Sequence, residues 1–152
     1  MDHSASNPLS AIHLIRHRRG AWRLRYTPGQ LDQLQHLLDQ HSFWARGRSR
    51  GELARMLAGS QAVVSAWHGQ RLVGFGRATS DGVFRAVLWD VVVAGDAQGQ
   101  GLGRRLVEAL LASPALASIE RVYLMTTNGA GFYKQLGFET KGSQHLMLLH
   151  RP

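Results

Sequence analysis

A loop with glycines at positions 99, 101 and 103 separates an apolar run, Val91–Val93, from a leucine-rich run that begins at Leu102. Few arrangements need glycine so densely between a strand and a helix. Glycine lets the main chain turn sharply and lie close against a ligand. A helix that starts there presents amide N–H groups without intrahelical partners, and its dipole favours an anion. Arg104 and Arg105 add positive charge at the same place. A phosphate or diphosphate is the natural guest. The commonest phosphate loops do not match: one needs Lys-Ser/Thr after the last glycine, where this chain has Arg-Arg. The dinucleotide loop needs G-x-G-x-x-G early in a βαβ unit, whereas here G-x-G-x-G comes late.

The flanking pattern sets the loop in a mixed architecture. "AIHLIRHRRGAWRLRYT" reads as one or two strands broken near Gly20, and Thr27-Pro28 opens a helix whose leucines 31, 34, 37 and 38 share one face. "FWARGRSRG" reads as a polar connector, and "ELARMLAGS" as a second short helix ending near Gly59. Two β-rich runs meet at His68-Gly69-Gln70, a tight hairpin, and Ser80-Asp81-Gly82 makes a second turn. "VFRAVLWDVVV" has the continuous apolar end of a central strand buried on both faces. After the glycine loop the spacing predicts a helix over 102–112, a strand "RVYLMTT", a short helix "GAGFYKQLG" stopped by Gly137, and a final strand pair in "FETKG" and "HLMLLHR". The order predicts an α+β fold, a mixed sheet with helices packed on it. Residues 1–10 read as a flexible tail and 11–152 as a single domain.

Composition narrows the function classes. The chain has 152 residues and no cysteine, which excludes disulfides and cysteine-based metal sites. Its eight histidines show no metal-ligand spacing, so no metal is expected. The net charge of +8 is carried almost wholly by arginine, Lys134 and Lys141 being the two lysines. Such a balance attracts polyanions or a phosphorylated cofactor. The arginines are scattered without interleaved aromatics, which argues against nucleic-acid binding. The N-terminal stretch has no apolar leader pattern and no window reaches the length of a membrane span, so a cytoplasmic location off the membrane is the expectation.

Gln98-x-x-Gly101-x-Gly103 after a buried strand resembles the coenzyme A signature of the GNAT superfamily of N-acetyltransferases. The resemblance continues in "GFYKQLGFE" from Gly131 to Glu139, which is similar to that family's Tyr-x-x-x-Gly-Phe segment. It covers about Ala62 to Glu139. Within the family the chain looks most like the cyanobacterial and chloroplast branch, which includes serotonin N-acetyltransferase-like enzymes and plastid lysine and N-terminal acetyltransferases. The resemblance implies an acyl-CoA N-acyltransferase fold, with a central, mostly antiparallel sheet splayed at its middle and about four flanking helices. It implies that Val91, Val92 and Val93 offer main-chain groups to the pantetheine arm of acetyl-CoA. Gln98, Gly99, Gln100, Gly101, Leu102, Gly103 and Arg104 would then wrap the diphosphate. Asn128 follows the next strand and would contact the cofactor, although an Asn there equally suits a helix N-cap.

Acetyl transfer to an amine needs a neutral amine, a polarised thioester carbonyl, alignment of the two, and a proton for the leaving thiolate. A main-chain N–H at Val91 or Val92 suits the carbonyl. Tyr133 suits the thiolate, because a phenol and a thiol have comparable acidity. Asp90, flanked by Trp89 and valines, is expected to be partly desolvated, with its pKa raised toward that of a useful base. Alternatively it only positions its neighbours. Trp89 either lines an aromatic-amine pocket or belongs to the core. Thr126-Thr127 stand where some members of the similar branch carry a second acid, a departure that argues against a two-carboxylate relay. The expected function is acetyl transfer from acetyl-CoA to a primary amine, an arylalkylamine or a protein lysine or N-terminus, in a ternary complex. The competing function is a catalytically silent acetyl-CoA-binding regulatory module. Homodimers are possible, since many relatives pair through terminal strands.

Overall fold

Two closed capping boxes start the first two helices. The Thr27 hydroxyl accepts from the Gln30 N–H (3.3 Å) while the Gln30 side chain accepts from the Thr27 N–H (3.0 Å), and Pro28 follows at the first helical position. Ser49 and Glu52 repeat the arrangement at 3.1 and 2.9 Å. Each box satisfies donors that a helix start leaves unpartnered. They open α1 (Pro28–His41) and α2 (Arg50–Ala58). The computed structural model describes residues 11–17 and 27–152. The expected tail 1–10 and the segment around Gly20 lie outside the described residues.

Five strands form one sheet in the order β1 (Ile12–His17), β2 (Ala62–His68), β3 (Arg71–Ser80), β4 (Arg85–Val93) and β5 (Arg121–Tyr123). The first four are antiparallel and β5 joins β4 in parallel. α3 (Leu102–Leu111) makes the crossover between β4 and β5, and α4 (Ala130–Gln135) follows β5. The mixed sheet and four α-helices among the described residues match the expected architecture. The β2–β3 hairpin closes through Gly69-Gln70, with Gly69 at φ +61°. Asp81 holds the β3–β4 turn by accepting from the amides of Val83 and Phe84 at 2.8 and 2.7 Å.

α3 sits unusually close to the sheet. On Gly76 of β3 a Cβ would stand 2.9 Å from Cδ1 of Leu110, and on Gly74 it would stand 3.0 Å from Cδ1 of Leu106. Both leucines are fully buried. The missing side chains therefore let the helix descend onto the strand and carry its N-terminus to the end of β4. Arg77, next along β3, faces the other side of the sheet, where it reaches Ser60 just beyond α2.

Two expectations fail toward the C-terminus. The strand expected over "RVYLMTT" keeps only Arg121–Tyr123 in the ladder. The final strand pair does not form: residues 138–152 hold no strand, and Leu146 to Leu149 are exposed. An apolar run becomes a strand only where a neighbour supplies a ladder, and the three-residue β5 offers little edge.

Overpacking a close helix–sheet contact costs about 1–3 kcal/mol. Gly76→Val is expected to destabilise the protein by that amount, seen as a lower urea midpoint with an unchanged m-value. A midpoint equal to the parent's would mean that α3 does not depend on this approach.

Candidate active site

β4 carries one residue more than β3 at its middle. Phe75 pairs with Val92 and Arg77 with Trp89, so Gly76 alone opposes both Asp90 and Val91. Asp90 takes φ +54°, the one positive value at a non-glycine among the described residues. This is a β-bulge with its first residue left-handed. Ordinary alternation would send Trp89 and Asp90 to opposite faces. The bulge instead brings both to Arg77, whose guanidinium carbon lies 5.8 Å from the Trp89 ring centre and whose Nε lies 2.8 Å from Asp90 Oδ2.

Beyond this point β4 also loses its other neighbour. Its ladder with β5 covers Arg85–Val87 against Arg121–Tyr123 and then stops. Leu88 to Val93 and Leu124 to Thr127 diverge into a cleft of about 1260 Å³. The cleft runs from the glycine loop to the aromatic side chains of Phe43, Trp44 and Trp89. The expected splay in the sheet is therefore present.

At one end lies the N-terminus of α3. Gly99 and Gly101 take φ +75° and +79°, and Gly101 is the N-cap. Open space stands where their side chains would be. The first intrahelical bond runs from the Arg105 N–H to the Gly101 carbonyl at 3.1 Å. The amides of Leu102, Gly103 and Arg104 precede it and lie at the cleft, where a diphosphate fits both the space and the donors. Gln98, Gly99, Gly101, Leu102, Gly103 and Arg104 all line the cleft; Gln100 does not. The Gln98 amide donates to the Val93 carbonyl at 3.0 Å, so that carbonyl already has a donor. Arg104 shares its charge with Glu108 at 2.8 Å. Val91 and Val93 line the cleft, whereas the Val92 side chain is buried in the core.

At the other end Asp90 is the hub of a cluster. Its Oδ1 accepts from Trp44 Nε1 at 3.0 Å, and its Oδ2 accepts from Arg48 Nη1 at 3.0 Å and Arg77 Nε at 2.8 Å. Burial alone would raise the carboxyl pKa, but the hydrogen bonds and charges of Arg77 and Arg48 outweigh it and hold the group below the ordinary carboxylate value. The expectation of a raised pKa is thus overturned: the desolvation is real, but two guanidinium groups more than compensate for it. As placed, Asp90 is an ion-paired anchor rather than a proton acceptor. Trp89 is tied to Thr79 Oγ1 by its indole N–H at 2.8 Å and lines the cleft.

Tyr133 lines the cleft from α4, with edge-to-face contacts to Phe132 and Phe138 at 4.9 and 5.7 Å. Burial pushes its phenol up, so it keeps its proton at neutral pH. Asn128 also lines the cleft, and Gly129, not Asn128, is the N-cap of α4. Sequence reasoning missed Trp44, Arg48 and Arg77. The "FWARGRSRG" connector reads as polar, but Ala45 is buried and anchors it over the sheet. An aromatic pair, Phe43-Trp44, four residues before an arginine that directly precedes a capping box was the available signal.

Known proteins bear on this arrangement. Residues 21–138 match the family described as "Acetyltransferase (GNAT) family". "Histone acetyltransferase TAP1" of Glycine max is 39% identical over 118 residues, covering 70% of this chain and 50% of that protein. "GCN5-related N-acetyltransferase 1, chloroplastic" of Arabidopsis thaliana is 36% identical over 122 residues, covering 79% of this chain and 62% of its own length. The chain thus spans about half of the first relative and less than two thirds of the second. Among solved structures, a GNAT-family protein of Xanthomonas campestris superposes with a TM-score of 0.72 at 25% identity, covering 93% of this chain and 94% of that one.

Asp90→Asn keeps the shape but leaves Arg48 and Arg77 without their counter-charge. Breaking a buried pair costs about 3–5 kcal/mol, and the lower end is expected because Arg48 reaches solvent. The folded-state pKa of Asp90 is depressed, so its contribution is complete above the unfolded value of ~3.9 and is lost as pH falls through the folded value. Urea unfolding from pH 7 downward is expected to show this acid loss in the parent and its absence in the variant. Identical acid dependence in the two proteins would deny Asp90 this role.

Proposed function

The chain belongs to the GNAT family of acetyltransferases, and on that footing we propose that it transfers acetyl from acetyl-CoA to a primary amine in a ternary complex. The single observation that carries the proposal is the continuous cleft joining the α3 amides to the Trp44–Arg48–Asp90 face through the gap between β4 and β5. Acetyl-CoA supplies an activated acyl thioester. The amides of Leu102, Gly103 and Arg104, with Gly99 and Gly101 beneath open space, hold its diphosphate. Val91 and Val93 flank the pantetheine arm, and Asn128 approaches it from the opposite wall. A main-chain N–H at Val91 or Val92, beside the bulge, polarises the thioester carbonyl. Tyr133 donates its phenolic proton to the departing sulfur.

Asp90 is the only acid among the described residues that line the cleft, and it is committed to two guanidinium groups. No side-chain base then takes the amine's proton, so the amine reacts in its neutral form. Of the candidate acceptors, an N-terminal amine (pKa about 8) is neutral far more often at physiological pH than a lysine side chain (about 10.4). Trp89, Trp44 and Phe43 give the acceptor end an aromatic wall, which also admits an arylalkylamine such as serotonin. The commitment of Asp90, the one acid among the described lining residues, to Arg48 and Arg77 favours one second reading, a regulatory module that binds acetyl-CoA without turnover.

Thiol release from acetyl-CoA, measured with serotonin, tyramine, polyamines, lysine peptides and peptide N-termini, separates the two readings. Turnover with at least one amine is expected, and Tyr133→Phe is expected to lower kcat by about 10²-fold with acetyl-CoA binding retained. Tight acetyl-CoA binding with no turnover would favour the regulatory module. An unchanged kcat in Tyr133→Phe would remove the phenol from the chemistry.

A further inference from the structure

The charge at the acceptor end does not balance. Arg48 and Arg77 bring two positive charges to the cleft and Asp90 brings one negative charge. Among the described residues no other carboxylate lines the cleft; the one other acid that acts on Arg48, Glu52, is fully exposed outside it and shared with Arg55, so it offsets little of the remainder. Residues 18–26, outside the described part, contain four arginines and no acid, so their composition supplies no counter-charge either. Exposure decides which sign an incoming molecule meets. The Asp90 side chain is 3% exposed, whereas that of Arg48 is 30% exposed. Both Asp90 oxygens are already taken by Trp44, Arg48 and Arg77. An ammonium group entering here finds no available carboxylate, while an anion finds the part-exposed Arg48 guanidinium in a cleft that Trp44 and Trp89 also line.

We propose that the acceptor is an amine that also carries an anionic group, a carboxylate or a phosphate, and that Arg48, backed by the Arg77–Asp90 pair, reads that group. This rests on the acetyltransferase reading and names the substrate class for the same site. A half-buried excess charge is costly until a counter-ion arrives, and an arginine suits the planar or tetrahedral oxyanions that would supply one. The same excess charge repels polyamines and basic peptides, whose further ammonium groups would crowd Arg48. Asp90 thereby acts in two ways. It neutralises Arg77, and it aims Arg48 by fixing Nη1, while that cleft-lining guanidinium makes no hydrogen bond through Nε or Nη2 to the described residues. The residual +1 also disfavours the protonated form of the amine nearby, which helps a site without a base.

The test uses matched acceptors with the full chain. Glu-Phe-amide is compared with Gln-Phe-amide, and O-phosphoserine amide with serine amide, by thiol release from acetyl-CoA at pH 8. The anionic member of at least one pair is expected to show a kcat/KM about 10-fold or more above its neutral partner, the gain typical of a charge-assisted hydrogen bond. The pair with the larger ratio tells carboxylate from phosphate. In Arg48→Met the Arg77–Asp90 pair is still charge-balanced, and thermal unfolding checks that the protein is folded. There the ratio is expected to collapse toward one through a rise in the KM of the anionic acceptor rather than a fall in kcat. A parent enzyme indifferent to the charge, or preferring the neutral member, would overturn the proposal, as would an Arg48→Met protein that kept the ratio. If no amine supports thiol release, the acetyltransferase reading fails on its own. Calorimetric binding of Glu-Phe-amide against Gln-Phe-amide, in the presence of coenzyme A, then still decides whether Arg48 selects an anion. Tighter binding of the Glu peptide upholds the selection, and equal or absent binding overturns it.

Discussion

The pairing of Arg77 with Asp90 across a bulged ladder organises everything that faces the cleft. One extra residue in β4 forces Asp90 into left-handed backbone, a conformation that costs of the order of 1–3 kcal/mol for a residue other than glycine. Two guanidinium groups and an indole N–H meet the carboxylate there and hold it. The consequence is geometric. Trp89 and Asp90 come to the same face, Val91 turns toward α3, and β4 parts from β5 just beyond Val87. Had Asp90 no partners, neither the strain nor the burial of its charge would be offset.

The two ends of the cleft are built by different means. The α3 end depends on backbone: helix amides, a left-handed N-cap at Gly101, and a close approach of helix to sheet over Gly74 and Gly76. It can bind an anion whatever the neighbouring side chains are, which suits a diphosphate common to every turnover. The acceptor end depends on side chains, namely Trp44, Arg48, Arg77 and Trp89. Most come from the loop before α2 and from β3, segments separate from the glycines and amides that build the first end. Such a division lets one scaffold keep its acyl donor while its acceptor changes.

Much of this was legible in the chain. The glycines at 99, 101 and 103 announced a strand-to-helix turn, and "PGQLDQLQHLLDQH" announced α1 through leucine spacing and its caps, because both signals are local. Asp90 was found but misread. Its flanking Trp89 and valines report burial correctly, while its ion partners lie 13 and 42 residues away in sequence and cannot be seen locally. Arg48 was hidden for the same reason, in a connector whose polarity looked like solvent exposure. The length of β5 and the fate of "HLMLLHR" were misjudged because a strand is defined by its neighbour. Apolar content alone cannot say that the ladder ends at Tyr123.

On the proposed function, the parted strands β4 and β5 hold an acyl thioester whose diphosphate rests on the start of α3. A crystal structure of the protein with acetyl-CoA tests it most directly. Phosphate oxygens are expected within hydrogen-bond reach of the Leu102, Gly103 and Arg104 amides, and the acetyl group between Leu88–Val93 and Leu124–Thr127, facing Arg48. Density for the molecule elsewhere, or β4 and β5 joined by a continuous ladder past Tyr123, would contradict it.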